Sequence, residues 1–423
     1  MKNLITATII LISTINFCNA QSNCNKIFGV ACYGSGNDEY SKTDAPESLF
    51  SETRGLTIGV TYQGFTAPAQ TAFDFSKQIW ESILNGTVPI KVNAYFLPIG
   101  AGGSLAITFP NGRKNFAGAI VNDVWYPTSL ANQLSGTELN TGESDFDIFL
   151  NSSVNWYFGT DGICPIGKYD FVSVALHEIC HGLGLVGLSK VDSLGIGSLG
   201  TLTINDFSPA ITSFPWPELD TFPGIFDHFL MTLDGTPIAN GSFLNPSDTL
   251  ADILTSNQIY WNGINGLQYN SNLEPRIYSP ATFALGSSMV HLNEATYPTG
   301  NENELMTPFA NSHSSNHHPG PIALAILKDI GWDVDPDFNS IQESISGYNF
   351  QIFPNPSADF ISWNFKNNEE AEIVIKDLIG RILIQNSDLN SERRIDISEL
   401  RSGLYIIELK TQTSTHVSRF VKN

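Results

Sequence analysis

His177 and His181 stand four residues apart in D-F-V-S-V-A-L-H-E-I-C-H-G-L-G, residues 170–184, with Glu178 beside the first of them. On a helix that spacing sends two imidazoles off the same face one turn apart, as two ligands of one Zn2+ require. Glu178 points about 100° around the helix from His177. It can therefore reach a water at the ion without being a ligand. Asp170 suits the start of such a helix, and Gly182 and Gly184 suit its end. A catalytic zinc keeps three protein ligands and an open fourth position. The compact spacing would put the third ligand at 187, where the sequence has Gly187. The remaining candidates are His228, His291, His313, His317, His318 and His416, or a carboxylate such as Glu294 or Glu304.

The elements that must position these residues are legible in outline. Residues 66–84 place Ala72, Ile79, Trp80 and Ile83 on one stripe, with Pro68 suited to a first turn, and predict an amphipathic helix. Ile90, Val92, Ala94 and Phe96 alternate as in a half-buried strand. The motif helix is expected over 170–183, and another over 321–330, with proline at its start and Gly331 just past its end. Between them, 188–290 is rich in Gly, Ser, Pro and Asn and promises only short elements. From residue 350, alternating segments separated by turn residues predict a small all-β sandwich.

His291 stands in S-S-M-V-H-L-N-E-A-T-Y-P-T-G-N-E-N-E-L-M-T-P-F, with Met306 downstream in E-L-M-T-P, ahead of a helix ending D-I-G-W. Together with H-E-x-x-H-G-L-G, this combination resembles the leishmanolysin-like branch of the metzincins. There, an insertion separates the motif glycine, here Gly184, from the third histidine. The resemblance spans roughly 55–335, and N-W-Y-F-G-T-D-G at 155–162 looks like part of the same domain. It implies that His291 is the third ligand and that Met306 is the methionine of the turn supporting the site. The implied fold is α+β, a twisted sheet with an active-site helix and a large insertion at 188–290. The implied activity is that of a secreted zinc-dependent endopeptidase hydrolysing proteins or peptides, with Glu178 as general base and one catalytic Zn2+. The competing reading is a secreted adhesin or binding protein whose zinc is a structural clip. Retention of Glu178 speaks against it, since a structural zinc needs no base. No cysteine-bearing propeptide is evident, and residues 21–54 form an N-terminal segment that could serve as a short pro-region.

Lys2, an apolar run from Leu4 to about Ile15 and Ala20 ahead of Gln21 read as a secretory signal peptide over 1–20. No later stretch reaches the ~20 apolar residues that a membrane span needs. Four cysteines follow, Cys24, Cys32, Cys164 and Cys180, and an oxidising compartment makes disulfides expected, Cys24 with Cys32 and Cys164 with Cys180. Residues 346–423 hold nine of the 21 basic and ten of the 42 acidic residues, so almost all of the net charge of −21 lies before them. A body so acidic repels phosphate backbones, which disfavours nucleic acid as a partner. Asp145 and Asp147 could suggest Ca2+ but lack the spacing of a calcium loop and read as solvated. His313, His317 and His318 read as an exposed loop, with a second metal site as the less favoured alternative. After a linker at 336–349, the order of strands in 350–423 closely resembles the C-terminal sorting domain of the type IX secretion system of Bacteroidota. That resemblance implies the type IX machinery as a partner, passage through the periplasm of a Gram-negative bacterium, and a cell-surface or extracellular destination.

Overall fold

The computed structural model describes residues 30–46, 55–99, 104–202, 206, 220–335, 351–353, 357–364, 372–376, 381–386, 394–410 and 415–423. The signal peptide, Cys24, the linker at 336–349 and the side chain of His416 lie outside the described residues. The chain divides into two compact units, Met1–Asn339 and Ser340–Asn423.

The first unit is built on a six-stranded sheet. Its strands are β1 (Val30–Thr43), β2 (Ile58–Gln63), β3 (Ile90–Leu97), β4 (Ser104–Pro110), β5 (Phe146–Asn151) and β6 (Phe309–Asn316), in the order β6-β1-β4-β5-β3-β2. β2, β3 and β5 are parallel to one another, and β4 runs antiparallel to both of its neighbours. The alternation read in 90–96 is that of β3, with Ile90, Val92, Ala94 and Phe96 all buried. β1 comes from the N-terminal segment 21–54 and lies inside the sheet between β4 and β6.

Two helices pack together on this sheet. α1 (Ala67–Ile83) starts at Thr66, whose side chain accepts the Ala69 N–H, and buries Ala72, Phe73, Ile79, Trp80 and Ile83 along one stripe. α2 (Phe171–Leu183) carries the histidine motif and is capped by Asp170, which accepts the Ser173 N–H. Apart from Ser173, His177, Glu178 and His181 it has no polar side chain, and every residue except Ser173 is buried, as in a helix enclosed on all sides. α1 fixes α2 through two polar contacts inside an otherwise apolar interface. Ser76 Oγ donates to Val172 O at 3.0 Å, and Trp80 Nε1 donates to Leu176 O at 3.0 Å. The carbonyls left open at the C-terminal end of α2 are also satisfied from outside. Ser129 Oγ reaches Gly182 O at 2.6 Å, and Trp332 Nε1 reaches Leu183 O at 2.8 Å. A third helix, α3 (Pro321–Ile330), has its proline in the first turn and Gly331 at its left-handed C-cap.

The described residues of the stretch 188–290 form short elements, among them the helices Asp248–Leu254 and Ile264–Tyr269 and a three-stranded sheet of Leu230–Thr232, Ile259–Trp261 and Arg276–Ile277. It is not a separate lobe, because Phe226, Leu250, Leu254 and Trp261 belong to the same core as α1, α2 and α3. Asp329 on α3 pins it by accepting from Trp261 Nε1 and the backbone N–H groups of Asn265 and Gly266 at 2.8–2.9 Å.

The structure corrects several expectations. Cys32, Cys164 and Cys180 are free, buried thiols, so the Cys164–Cys180 disulfide is not formed. Cys180 is enclosed in the core on α2, and the Cys164 thiol donates to Lys168 O at 3.2 Å instead. Residues 309–316 form β6, so the histidine-rich segment begins in a strand and His317 is buried rather than exposed. Asp145 is buried, not solvated, and accepts the Lys91 N–H at 2.8 Å and the Asn132 amide at 2.9 Å, while Asp147 accepts from Asn93 at 2.9 Å.

The described residues of the second unit form strands, as 350–423 predicts. Strands β7 (Gln351–Phe353), β8 (Phe360–Asn364) and β11 (Arg394–Asp396) form one antiparallel sheet. Strands β9 (Glu372–Lys376), β10 (Ile382–Asn386), β12 (Gly403–Lys410) and β13 (Thr415–Lys422) form another, in the order β10-β9-β12-β13. Ile361, Trp363, Ile373, Ile375, Ile407 and Phe420 share one core between them.

Candidate metal centre

The turn at the end of α2 sets the position of the second histidine. Gly184 closes the helix at φ 143°, a value that L side chains rarely adopt, and its N–H reaches Cys180 O at 3.1 Å. The chain doubles back so that Leu185 O lies 2.6 Å from His181 Nδ1. His177 Nδ1 lies 2.6 Å from Leu305 O, in the short 3-10 turn Glu304–Met306. His291 Nδ1 lies 2.8 Å from Ser287 O. Each imidazole therefore donates its Nδ1 proton to a carbonyl, which leaves each Nε2 as a bare lone pair.

Those three lone pairs converge. Nε2 of His177 and His181 are 2.9 Å apart, and each is 3.2 Å from Nε2 of His291. With no proton among them they would repel one another, and a cation at the centre removes that repulsion. Tetrahedral Zn–N bonds of ~2.05 Å place nitrogens about 3.3 Å apart, so the triangle fits an ion of that size. All three rings are at most 2% exposed, and burial holds the His177 imidazole down to about 4 and those of His181 and His291 well below their usual value. They are neutral and fit for ligation near pH 7.

Glu178 is fully buried beside them. Thr108 on β4 donates its hydroxyl to Glu178 Oε2 at 2.5 Å, while Oε1 has no hydrogen-bond partner. Burial pushes the Glu178 carboxyl up to about 8 against the opposing pull of the Thr108 hydroxyl, and a cation held by the neighbouring imidazoles would draw it back down, so that the carboxylate form is available as a base. A buried carboxylate oxygen left open is costly unless it serves a reaction or an ion.

The structure thus brings His177, His181, His291 and Glu178 to one point, with Met306 fully buried in the turn that holds His177. Among the described residues, it does not bring in the other candidates. His317 pairs with Asp170 at 3.0 Å, His318 accepts the Gly320 N–H at 3.0 Å, and His228 lies at the end of the short helix Ile225–His228. Among the described residues, no second cluster of histidines could hold a metal. Glu294 and Glu304 line a cavity next to His177 without joining the triangle.

Gly187 shows why the compact spacing fails here. A Cβ at that position would lie 2.5 Å from Asp227 Oδ1 and 3.2 Å from Met289 O. Asp227 cannot move aside, because its other oxygen accepts the Leu188 and Gly224 N–H groups at 2.7 and 2.9 Å. Gly187→Ala is expected to cost about 1–3 kcal/mol by overpacking, seen as a fall of several degrees in Tm. An unchanged Tm would show that this wall yields.

Sequence reasoning missed Thr108, the carbonyls of Leu185, Ser287 and Leu305, and Cys32. Cys32 offers its sulfur within 4.8 Å of ligand atoms of His177 and Glu178. Backbone carbonyls leave no mark in side-chain patterns, and a threonine in a strand carries no signal of its own.

Comparison with known families settles the second unit. Residues 351–423 are a secretion system C-terminal sorting domain. The chain is therefore exported by type IX secretion to the cell surface or outside it, and no described helix is long and apolar enough to cross a membrane. Residues 121–213, which include α2, match a family described as SPBPB7E8-like. No curated protein matches the chain.

Proposed function

We propose that the first unit is an exported zinc-dependent endopeptidase acting on proteins or peptides, with His177, His181 and His291 as ligands and Glu178 as general base. The observation that carries this reading is the meeting of three bare Nε2 atoms beside a buried carboxylate with one unpartnered oxygen. A leishmanolysin-like metzincin is the family reading it fits, since the third histidine follows a long insertion and Met306 is buried in a turn whose Leu305 carbonyl orients His177.

A zinc ion held there would polarise a peptide carbonyl and bring the pKa of a water down toward ~7. Glu178 takes the proton of the attacking water on Oε1 and passes it to the leaving amine. Thr108 holds Oε2 and so fixes which oxygen faces the reaction. The three carbonyls on Nδ1 keep the imidazoles in the ligating tautomer. An adhesin with a structural zinc would gain nothing from the open oxygen of Glu178, which favours the enzyme.

The test is hydrolysis of mixed peptides by the purified protein with and without a chelator. Chelation should lower the rate at least 100-fold, and added zinc should restore it. A rate indifferent to the chelator rejects the proposal.

A further inference from the structure

A cavity of about 520 Å3, partly open to solvent, lies beside His177. Three carboxylates line it, and each belongs to a segment that also builds the metal centre. Asp170 caps α2, Glu294 follows shortly after His291, and Glu304 begins the turn whose Leu305 carbonyl orients His177. No lysine or arginine is among the lining residues, and burial keeps His177 neutral. The cavity therefore carries negative charge without a cation of its own.

Its unpartnered oxygens point to a ligand. The Asp170 side chain is fully enclosed, and three donors crowd its Oδ1: the Ser173 N–H and hydroxyl, both at 2.7 Å, and His317 Nε2 at 3.0 Å. Its Oδ2 has none. Glu294 shows the same imbalance, since Thr307 and the Phe309 N–H donate to the carboxylate while Oε2 is buried without a partner. Burial and the neighbouring Glu304 and Glu39 charges push the Glu294 carboxyl up, and burial with Glu39 does the same to Glu304. A positive ligand in this place would relieve both effects.

The spacing selects the kind of cation. Among the described residues, no three of these carboxylates bring oxygens within 4.8 Å of one another, so they are too dispersed to hold a bare metal ion. A guanidinium suits them, because its five N–H donors fan out from a flat head. The wall suits the stem behind such a head. Phe309 is 37% exposed and keeps ring contact with Tyr33 and Tyr278, at 6.4 and 6.3 Å between centroids, while Val174 and Leu305 add apolar surface. Building on the zinc-peptidase reading, we infer that this cavity takes the guanidinium of a substrate arginine beside the scissile bond.

The test has a binding arm and a hydrolysis arm, both on the zinc-loaded full chain. In the first, N-acetyl-arginine amide is titrated by calorimetry beside its norleucine and lysine counterparts. The arginine amide should bind about tenfold more tightly than the norleucine amide, as a hydrogen bond to a charged group implies, and more tightly than the lysine amide. Glu294→Gln should cancel the gain. In the second, arginine replaces norleucine at each position in turn around a cleaved bond. One position should favour arginine about tenfold in kcat/KM, and Glu294→Gln should bring that ratio close to one. Should Glu294→Gln unfold by circular dichroism, Glu304→Gln serves in its place with the same expectation. Selective binding of the arginine amide with no peptide hydrolysed would keep the guanidinium site and overturn the peptidase. Hydrolysis without any preference for arginine would keep the peptidase and overturn the site. Arginine amide that binds no better than norleucine amide would also overturn the site, and lysine amide that binds as tightly would overturn its assignment to a guanidinium.

Discussion

Glu178→Ala is expected to lower kcat/KM for peptide hydrolysis by 10²–10⁴-fold, the range that a positioned general base supplies, while zinc content stays at one ion per chain. The separation follows from the geometry. The ligating nitrogens belong to three histidines whose orientation comes from the Leu305, Leu185 and Ser287 carbonyls, and none of those contacts passes through the carboxylate. Glu178→Gln sharpens the test, because it keeps the shape of the side chain and a partner for Thr108 but cannot take a proton. Both variants should bind zinc and fail in hydrolysis. Near-full activity in either would remove Glu178 from the mechanism and with it the proposed reaction.

His291→Ala acts on the ion itself. Changes to groups that merely orient a ligand already cost 10–100-fold in metal affinity, so loss of the ligand should weaken zinc binding by about 100-fold or more. Hydrolysis should vanish at zinc concentrations that saturate the wild type. Thermal stability supplies a second readout. An ion present at 100 times its Kd stabilises the folded state by ≈ 2.7 kcal/mol, so zinc should raise the Tm of the wild type and leave that of the variant almost unmoved. Equal zinc affinity in the two proteins would place the third ligand elsewhere.

The parts of this site written in side-chain chemistry are legible in the amino-acid sequence. The four-residue spacing of the histidines, the cap at Asp170 and the glycine at 184 are local signals, and α2 has the boundaries they imply. α3 begins at its proline and ends before Gly331 as expected. His291 and Met306 are reachable only through resemblance, since nothing local says which distant histidine returns to the helix. What stays hidden is tertiary. The histidine-bearing segment 311–320 reads as an exposed loop, but its first part pairs with β1 and belongs to a strand. The cysteine count suggests disulfides, but Cys180 is enclosed on a helix whose neighbours are apolar. Asp145 reads as surface charge, but it serves as an acceptor for the Lys91 N–H inside the fold. In each case a partner far along the chain decides the outcome, and composition carries no record of partners.

The anchoring of the inserted stretch to the body, in which Asp329 on α3 takes part, bears on which of its positions are free to vary. Asp329 and the Leu230–Thr232, Ile259–Trp261 and Arg276–Ile277 ladder hold the middle of that stretch in place. Leu194, Leu244, Ile264 and Leu273 on its outer side are 65–85% exposed and hold no part of that anchor. Substitutions on that outer side can therefore accumulate without disturbing the contacts that hold the stretch to the core.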